Sequence, residues 1–167
     1  MNIDIRHELP EHTQAIRRVT EAAFKLNSHA SGTEAAIVDA LREANALTLS
    51  LVATLDNEVV GHVAFSPITI NGRHLGWFGL GPVSVKPELH RQGIGSALIQ
   101  EGLSRLKQAG AAGCVVLGDP AFYRRFGFRH DPALRYEGAP AEYFMSLHCH
   151  GAKPAGKVAF HAGFAAA

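Results

Sequence analysis

The chain has 167 residues, of which 47% are hydrophobic and 19% are charged, a composition typical of a globular protein with a buried core. A formal net charge of +1 provides no long-range field for nucleic acid or an anionic membrane, and no apolar run has the length of a membrane span. Because the two cysteines are isolated and the N-terminus lacks the apolar core of a signal peptide, we expect a single cytoplasmic domain over residues 1–167, with no metal, no nucleic acid and no membrane partner.

The chain begins with a predicted strand and two predicted helices. Residues 2–9 alternate apolar and polar side chains, which is typical of a strand. A helix beginning at Pro10 carries one apolar stripe, and a second helix with its own stripe follows a polar loop at residues 27–32. The stripes consist of Ile16, Val19, Ala23 and Leu26 and of Ile37, Leu41 and Ala44. Ser31 followed by Glu34 matches a capping box, so we interpret Glu34 as a helix cap rather than a catalytic base.

Three antiparallel strands are predicted next. Residues 47–54 and 59–70 read as two strands joined at Asp56-Asn57. Asn71-Gly72 is a strong hairpin signal, and it leads into a third strand that reaches Leu80. The first half of the chain therefore predicts an antiparallel sheet with two helices inserted after its first strand.

Residues 80–110 combine a strand, a turn with two glycines, and a helix. Val83 and Val85 alternate with Ser84 as in a strand, and residues 94–109 carry apolar side chains at helical spacing. The unpaired amides and the positive dipole end at a helix start attract phosphate, and glycines there let it approach the backbone. Taken alone, the pattern leaves open both a phosphate site and a tight packing turn.

Comparison with known phosphate-binding loops shows which kind of phosphate site the stretch could form. A Walker loop requires a lysine after its last glycine, but Ser96 follows Gly95. The dinucleotide fingerprint requires a third glycine where this chain has Leu98, so a nucleotide-binding regulator is disfavoured. The stretch instead resembles the acyl-CoA motif of the GNAT acetyltransferases, Val-x-Val-x-Pro followed by Gln/Arg-x-x-Gly-x-Gly/Ala at a helix start. The matching residues are Val83-Ser84-Val85-Lys86-Pro87 and His90-Arg91-Gln92-Gly93-Ile94-Gly95, with His90 in place of the usual Gln or Arg.

A second signature follows in the expected order. Residues 114–117 form an apolar run typical of a buried strand, which should lie parallel to the strand of Val83 and Val85. Asp119-Pro120 predicts a helix start, and the spacing of Tyr123, Gly127 and Phe128 resembles the second GNAT signature. Residues 143–148 and 157–160 read as closing strands after a turn-rich loop at residues 135–140.

The resemblance implies both a fold and an activity. The fold is α/β (α+β), with a mixed central sheet of about six to seven strands, antiparallel in its first half, a splayed parallel pair at its centre, and about four flanking helices. The activity is transfer of an acetyl group from acetyl-CoA directly to a primary amine of a small molecule or peptide, by a monomer or homodimer. Within the superfamily, residues 117–123 and 144–145 look most like an uncharacterised "predicted N-acetyltransferase" branch.

The resemblance also implies the roles of individual residues. The backbone N–H of Val83 would face the thioester oxygen, and Tyr123 would be the general acid that protonates the departing thiolate. Pro82 fits a gap beside this strand because it has no N–H to offer a neighbour. The implied acetyl-CoA-binding residues are Val83, Ser84, Val85, His90, Arg91, Gln92, Gly93, Ile94, Gly95, Ser96, Asp119 and Tyr123.

A general base is not evident from the sequence. Some relatives carry a glutamate where this chain has Gly79, and a lone histidine such as His62, His74 or His90 is more often structural. This gap favours the alternative function, a non-catalytic acyl-CoA-binding sensor or scaffold with the same fold. His148 and His150 would share a strand face but lack a third ligand, so we expect no metal there. A basic cluster of Arg124, Arg125 and Arg129 fits either the acidic end of CoA or a solvated surface.

Overall fold

The computed structural model describes residues 1–25 and 32–167 as a mixed six-stranded sheet, a smaller three-stranded sheet and four α-helices. The strands are β1 (Asp4–His7), β2 (Leu49–Leu55), β3 (Glu58–Pro67), β4 (Thr69–Ile70), β5 (Trp77–Val85), β6 (Gly113–Leu117), β7 (Leu134–Arg135), β8 (Phe144–His148) and β9 (Gly156–Ala159). The helices are α1 (Thr13–Lys25), α2 (Glu34–Glu43), α3 (Ile94–Gln108) and α4 (Pro120–Tyr123). Within these ranges no helix is both long enough and apolar enough to cross a bilayer.

The large sheet has the order β1-β2-β3-β5-β6-β8. All neighbours are antiparallel except β5 and β6, which run parallel and are connected through α3. The predicted mixed sheet, with its antiparallel first half and parallel central pair, is therefore confirmed. The predicted stripe residue Leu26, the predicted loop at residues 27–31 and the predicted capping residue Ser31 lie outside the described residues, and the N-cap of α2 is Thr33.

Two local predictions were wrong. The strand predicted at residues 59–70 ends at Pro67, and β4 pairs instead with β9 in the small sheet, where Ile70 is buried against Trp77. Ala44 lies beyond the end of α2 and is exposed, and Ala46 takes its place in the apolar cluster with Ile37 and Leu41. The first error concerns a partner strand that the local pattern does not reveal. In the second, Asn45 takes a φ of 55° and the N–H of Ala46 donates to the Leu41 carbonyl at 2.8 Å, so the helix ends before Ala44.

The main apolar core lies between the large sheet and α3. Phe65, Leu98 and Ile99 are fully buried in it, and α3 approaches the sheet closely at Gly102. A Cβ atom added at Gly102 would lie 2.3 Å from the Phe65 ring. The helix that follows the glycine turn is thus fixed tightly against the central strands, which also fixes the position of its first turn.

The pairing of β5 with β6 stops halfway along β5. Pairing extends only from Trp77 to Leu80 on β5, although β5 itself continues to Val85. On its other side, β5 contains a bulge, because Val83 pairs with Val63 whereas Leu80 pairs with Phe65. β6 ends at Leu117, one residue after its last pair with β5, which leaves a gap beside the second half of β5.

Candidate active site

A cleft of about 620 Å³ lies between the end of β5, the start of α3 and α4. This volume is within the range of small-molecule sites. Of the residues predicted from sequence to bind a cofactor, eight line the cleft: Val83, Val85, His90, Arg91, Gly93, Ile94, Gly95 and Ser96. The remaining walls come from Ala23 and Phe24 of α1, from Leu89, and from Phe122 and Arg125 at and after α4.

The backbone of β5 presents hydrogen-bonding groups to the gap. The N–H of Lys86 donates to the carbonyl of Val60 on β3 at 2.8 Å. Since these groups alternate in direction along a strand, those of Ser84 also face β3, whereas those of Val83 and Val85 face away from β3. Because β6 is no longer paired there, the backbone of Val83 and Val85 is directed into the cleft rather than into a sheet ladder.

His90 joins the glycine turn to the end of β5. Its Nε2–H donates to the Val85 carbonyl at 2.7 Å. The ring therefore holds the turn against the strand and occupies one of the two acceptor positions of that carbonyl. The other acceptor position is left for a donor in the cleft.

The first turn of α3 is open to an anion. Gly93 is the N-cap, with a φ of 83° that favours glycine, and no side chain caps the amides that follow. A Cβ atom added at Gly93 would have no neighbour within 4 Å. The exposed side chain of Arg91 lies on the same wall of the cleft. The helix dipole and this guanidinium together favour a negatively charged group at the amides of the first turn.

Four predicted binding residues are absent from the cleft lining: Ser84, Gln92, Asp119 and the predicted general acid Tyr123. The Ser84 side chain is buried, and its Oγ lies 3.3 Å from Oγ1 of Thr20 on α1. Asp119 is the N-cap of α4, and its Oδ1 accepts a hydrogen bond from the Ala121 N–H at 3.0 Å. The exposed Gln92 is likewise not part of the cleft lining. Any part that Ser84, Gln92 and Asp119 have in binding would have to come from their backbone or from a shift of the turn.

Tyr123 lies at the end of β6. A Cβ atom added at Gly118, the residue after β6, would lie 2.5 Å from the Tyr123 ring, so the ring rests directly on the backbone there. Its edge contacts with Phe122 and Phe128 hold the ring in place. Burial, with a smaller contribution from Cys114, raises the pKa of Tyr123 to about 12. The phenol therefore holds its proton at neutral pH and can act as an acid.

The aromatic and cationic wall formed by Phe122 and Arg125 was only partly anticipated. The Arg125 guanidinium lies 4.4 Å from the centroid of the Phe122 ring, and its Nε–H donates to the Phe122 carbonyl at 3.3 Å. The cluster of arginines was visible in the sequence, but not which of them faces the cleft. Nothing in the sequence placed Ala23 or Phe24 at the site, because α1 is distant in sequence and reaches the site only through folding.

His62, one of the histidines considered as a base, belongs to a buried polar network that does not line the cleft. The Ser50 hydroxyl donates to Oε1 of Glu8, so Nε2–H of His62 donates to Ser50 Oγ, at 2.8 Å. Glu8 in turn pairs with Arg42 at 2.9 Å. Burial lowers the pKa of His62 to about 4, partly offset by the charge of Glu8. His62 is therefore a neutral structural residue at physiological pH.

This network predicts that acidification destabilises the protein. The folded-state pKa of His62 is lowered from 6.5 to about 4, so the unfolded chain binds more protons between these values and stability falls as pH falls. We expect the free energy of unfolding to drop by about 2 kcal/mol between pH 7 and pH 5. Urea denaturation at both pH values measures the drop. His62→Gln should abolish most of it, whereas exposed His7→Gln should not; an unchanged drop in His62→Gln would contradict the assignment.

Comparisons with known proteins identify similar acetyltransferases. A family model for the acetyltransferase (GNAT) domain matches residues 47–130, which include β5, α3 and α4. The uncharacterised N-acetyltransferase YhbS of Escherichia coli K12 is 40% identical over 144 residues, 83% of each chain. A GNAT family acetyltransferase from Brucella melitensis, crystallised with acetyl-CoA, is 50% identical with a TM-score of 0.88 over 98% of both chains. YhbS from Escherichia coli, crystallised with CoA, is 35% identical with a TM-score of 0.88 over 99% of this chain and 93% of that chain.

Proposed function

The chain belongs to the GNAT family of N-acetyltransferases, and we propose that it transfers an acetyl group from acetyl-CoA directly to the primary amine of a small molecule or peptide. The observation that carries this proposal is the cleft in which the β5 backbone and the start of α3 face a common space. The relatives crystallised with acetyl-CoA and with CoA support acetyl-CoA as the donor. We assign the whole reaction to one domain spanning residues 1–167.

The donor would be held by backbone groups at both ends of the cleft. An extended pantetheine arm carries amides that can pair with the backbone of Val83 and Val85 as an added strand would. Its diphosphate suits the uncapped amides of residues 94–96 and the side chain of Arg91. The thioester then lies near Val83, at the level where β6 ends.

Two groups of the chain would promote the chemical step. The Val83 N–H donates to the thioester oxygen as negative charge develops on it, which is worth about 10²–10³ in rate for one well-aimed donor. The amine nitrogen forms the new C–N bond, the C–S bond breaks, and the Tyr123 phenol gives its proton to the thiolate. The amine reacts from its neutral form and releases its proton to water, since no carboxylate occupies position 79.

A turnover assay tests the proposal. Purified protein is incubated with acetyl-CoA and a panel of amines that includes small polyamines, amino acids and peptides with free N-termini. We expect thiol release, detected with a thiol-reactive dye, to depend on one class of amine, and mass spectrometry to find that amine acetylated. Binding of acetyl-CoA by calorimetry without acetylation of any amine would favour the non-catalytic sensor, for which the glycine at position 79 is the supporting observation. Absence of binding to CoA and acetyl-CoA would overturn both.

A further inference from the structure

Arg125 is an oriented cation with no anionic partner among the residues that the structure describes. Its guanidinium packs on the Phe122 ring and lies 5.9 Å from the centroid of the Phe126 ring. The hydrogen bond to the Phe122 carbonyl uses only Nε–H, which leaves the terminal N–H groups for an anion. A guanidinium held in one orientation at the wall of a cleft is suited to bidentate recognition of a phosphate.

Other residues of the cleft lining already supply partners for one anionic group. They are the uncapped amides at the start of α3 and the side chain of Arg91. Under the proposed function, on which this inference rests, these groups bind the diphosphate of CoA. CoA carries one further phosphate, a monoester on its ribose, and Arg125 is the remaining cation among the described residues that line the cleft. We propose that Arg125 binds the ribose 3′-phosphate and so makes the enzyme select CoA over dephospho-CoA.

The neighbouring arginines are placed differently. Arg129 donates from Nη1 to the carbonyls of Arg124, at 3.2 Å, and of Phe128, at 2.8 Å, so it stabilises the turn after α4. Arg124 is exposed and does not line the cleft. Arg124 therefore provides a matched control, because its replacement removes the same charge one residue away from Arg125.

Calorimetric titration of CoA and of dephospho-CoA tests the proposal. We expect the wild-type protein to bind CoA about tenfold more tightly than dephospho-CoA, as an exposed charge-assisted contact allows. Arg125→Ala should lower the affinity for CoA to that for dephospho-CoA and leave the affinity for dephospho-CoA unchanged. Arg124→Ala should keep the wild-type preference. Raising the salt concentration should weaken the preference of the wild-type protein, because the contact is solvent-exposed.

Each outcome separates this inference from the proposed function. Equal affinity of the wild-type protein for both ligands overturns the role of Arg125 and leaves the proposed function intact. An equal loss for both ligands in Arg125→Ala also overturns it, because Arg125 would then contact the diphosphate or the adenine. Binding of neither ligand to the wild-type protein overturns the proposed function. Should Arg125→Ala not fold, Arg125→Gln tests the same contact with most of the side chain retained.

Discussion

Replacing Tyr123 with phenylalanine is expected to lower kcat by about 10²- to 10⁴-fold, the contribution of a positioned general acid. The substitution removes only the hydroxyl, so the ring contacts with Phe122 and Phe128 remain and the fold should be retained. The KM for acetyl-CoA should change little, because the proton is needed when the C–S bond breaks and not when the donor binds. Steady-state kinetics with the amine found in the turnover assay measure both constants.

The matched control for this substitution is Tyr143→Phe. Tyr143 is 45% exposed, whereas the Tyr123 ring is packed on the backbone of Gly118 at the end of β6, so the Tyr143 hydroxyl should be dispensable. Because burial raises the pKa of Tyr123 to about 12, the wild-type rate should show no loss from phenol deprotonation up to about pH 10. Wild-type kcat in Tyr123→Phe, or a phenol titrating near pH 9, would refute the general-acid role.

The part of the site that could be predicted from sequence is the part built from contiguous residues. A strand, a turn and a helix that follow one another must lie close together, so the cleft residues between Val83 and Ser96 were identifiable from one motif. The orientation of individual side chains was harder to predict from the sequence. Ser84 belongs to the motif, but the alternation of strand side chains directs it to α1 and its neighbour Val83 to the other face.

The contacts between distant segments could not be predicted in this way. Phe24 reaches the cleft only because α1 packs across the sheet, and β4 leaves the large sheet only because β9 returns to pair with it. The local sequence pattern of neither segment indicates which distant segment it contacts. The same limit applies to Gly79, because the space beside it is filled by Phe160, a residue near the end of the chain.

The second large effect is expected for Gly79→Glu, which introduces a carboxylate at the position where a general base was sought. A Cβ atom added at Gly79 would lie 2.9 Å from the Phe160 ring and 3.2 Å from Ile68. The Phe160 ring is itself held by edge contacts with Tyr136 and Phe144, so it cannot easily move. Overpacking and an unpaired buried carboxylate together should lower the free energy of unfolding by about 4 kcal/mol or more, with no gain in kcat.

Gly79→Ala separates the two contributions, because it adds the Cβ atom without the charge and should cost about 1–3 kcal/mol. Combining Gly79→Ala with Phe160→Leu should cost less than the sum of the single changes, since the two residues are in contact. Urea denaturation measures all of these values. If Gly79→Glu were as stable as the wild-type protein and more active, this face of β5 would have room for a base. If the expected loss of stability is found, the Phe160 ring occupies the space that a carboxylate at position 79 would need. The amine proton must then leave by a path that does not involve position 79.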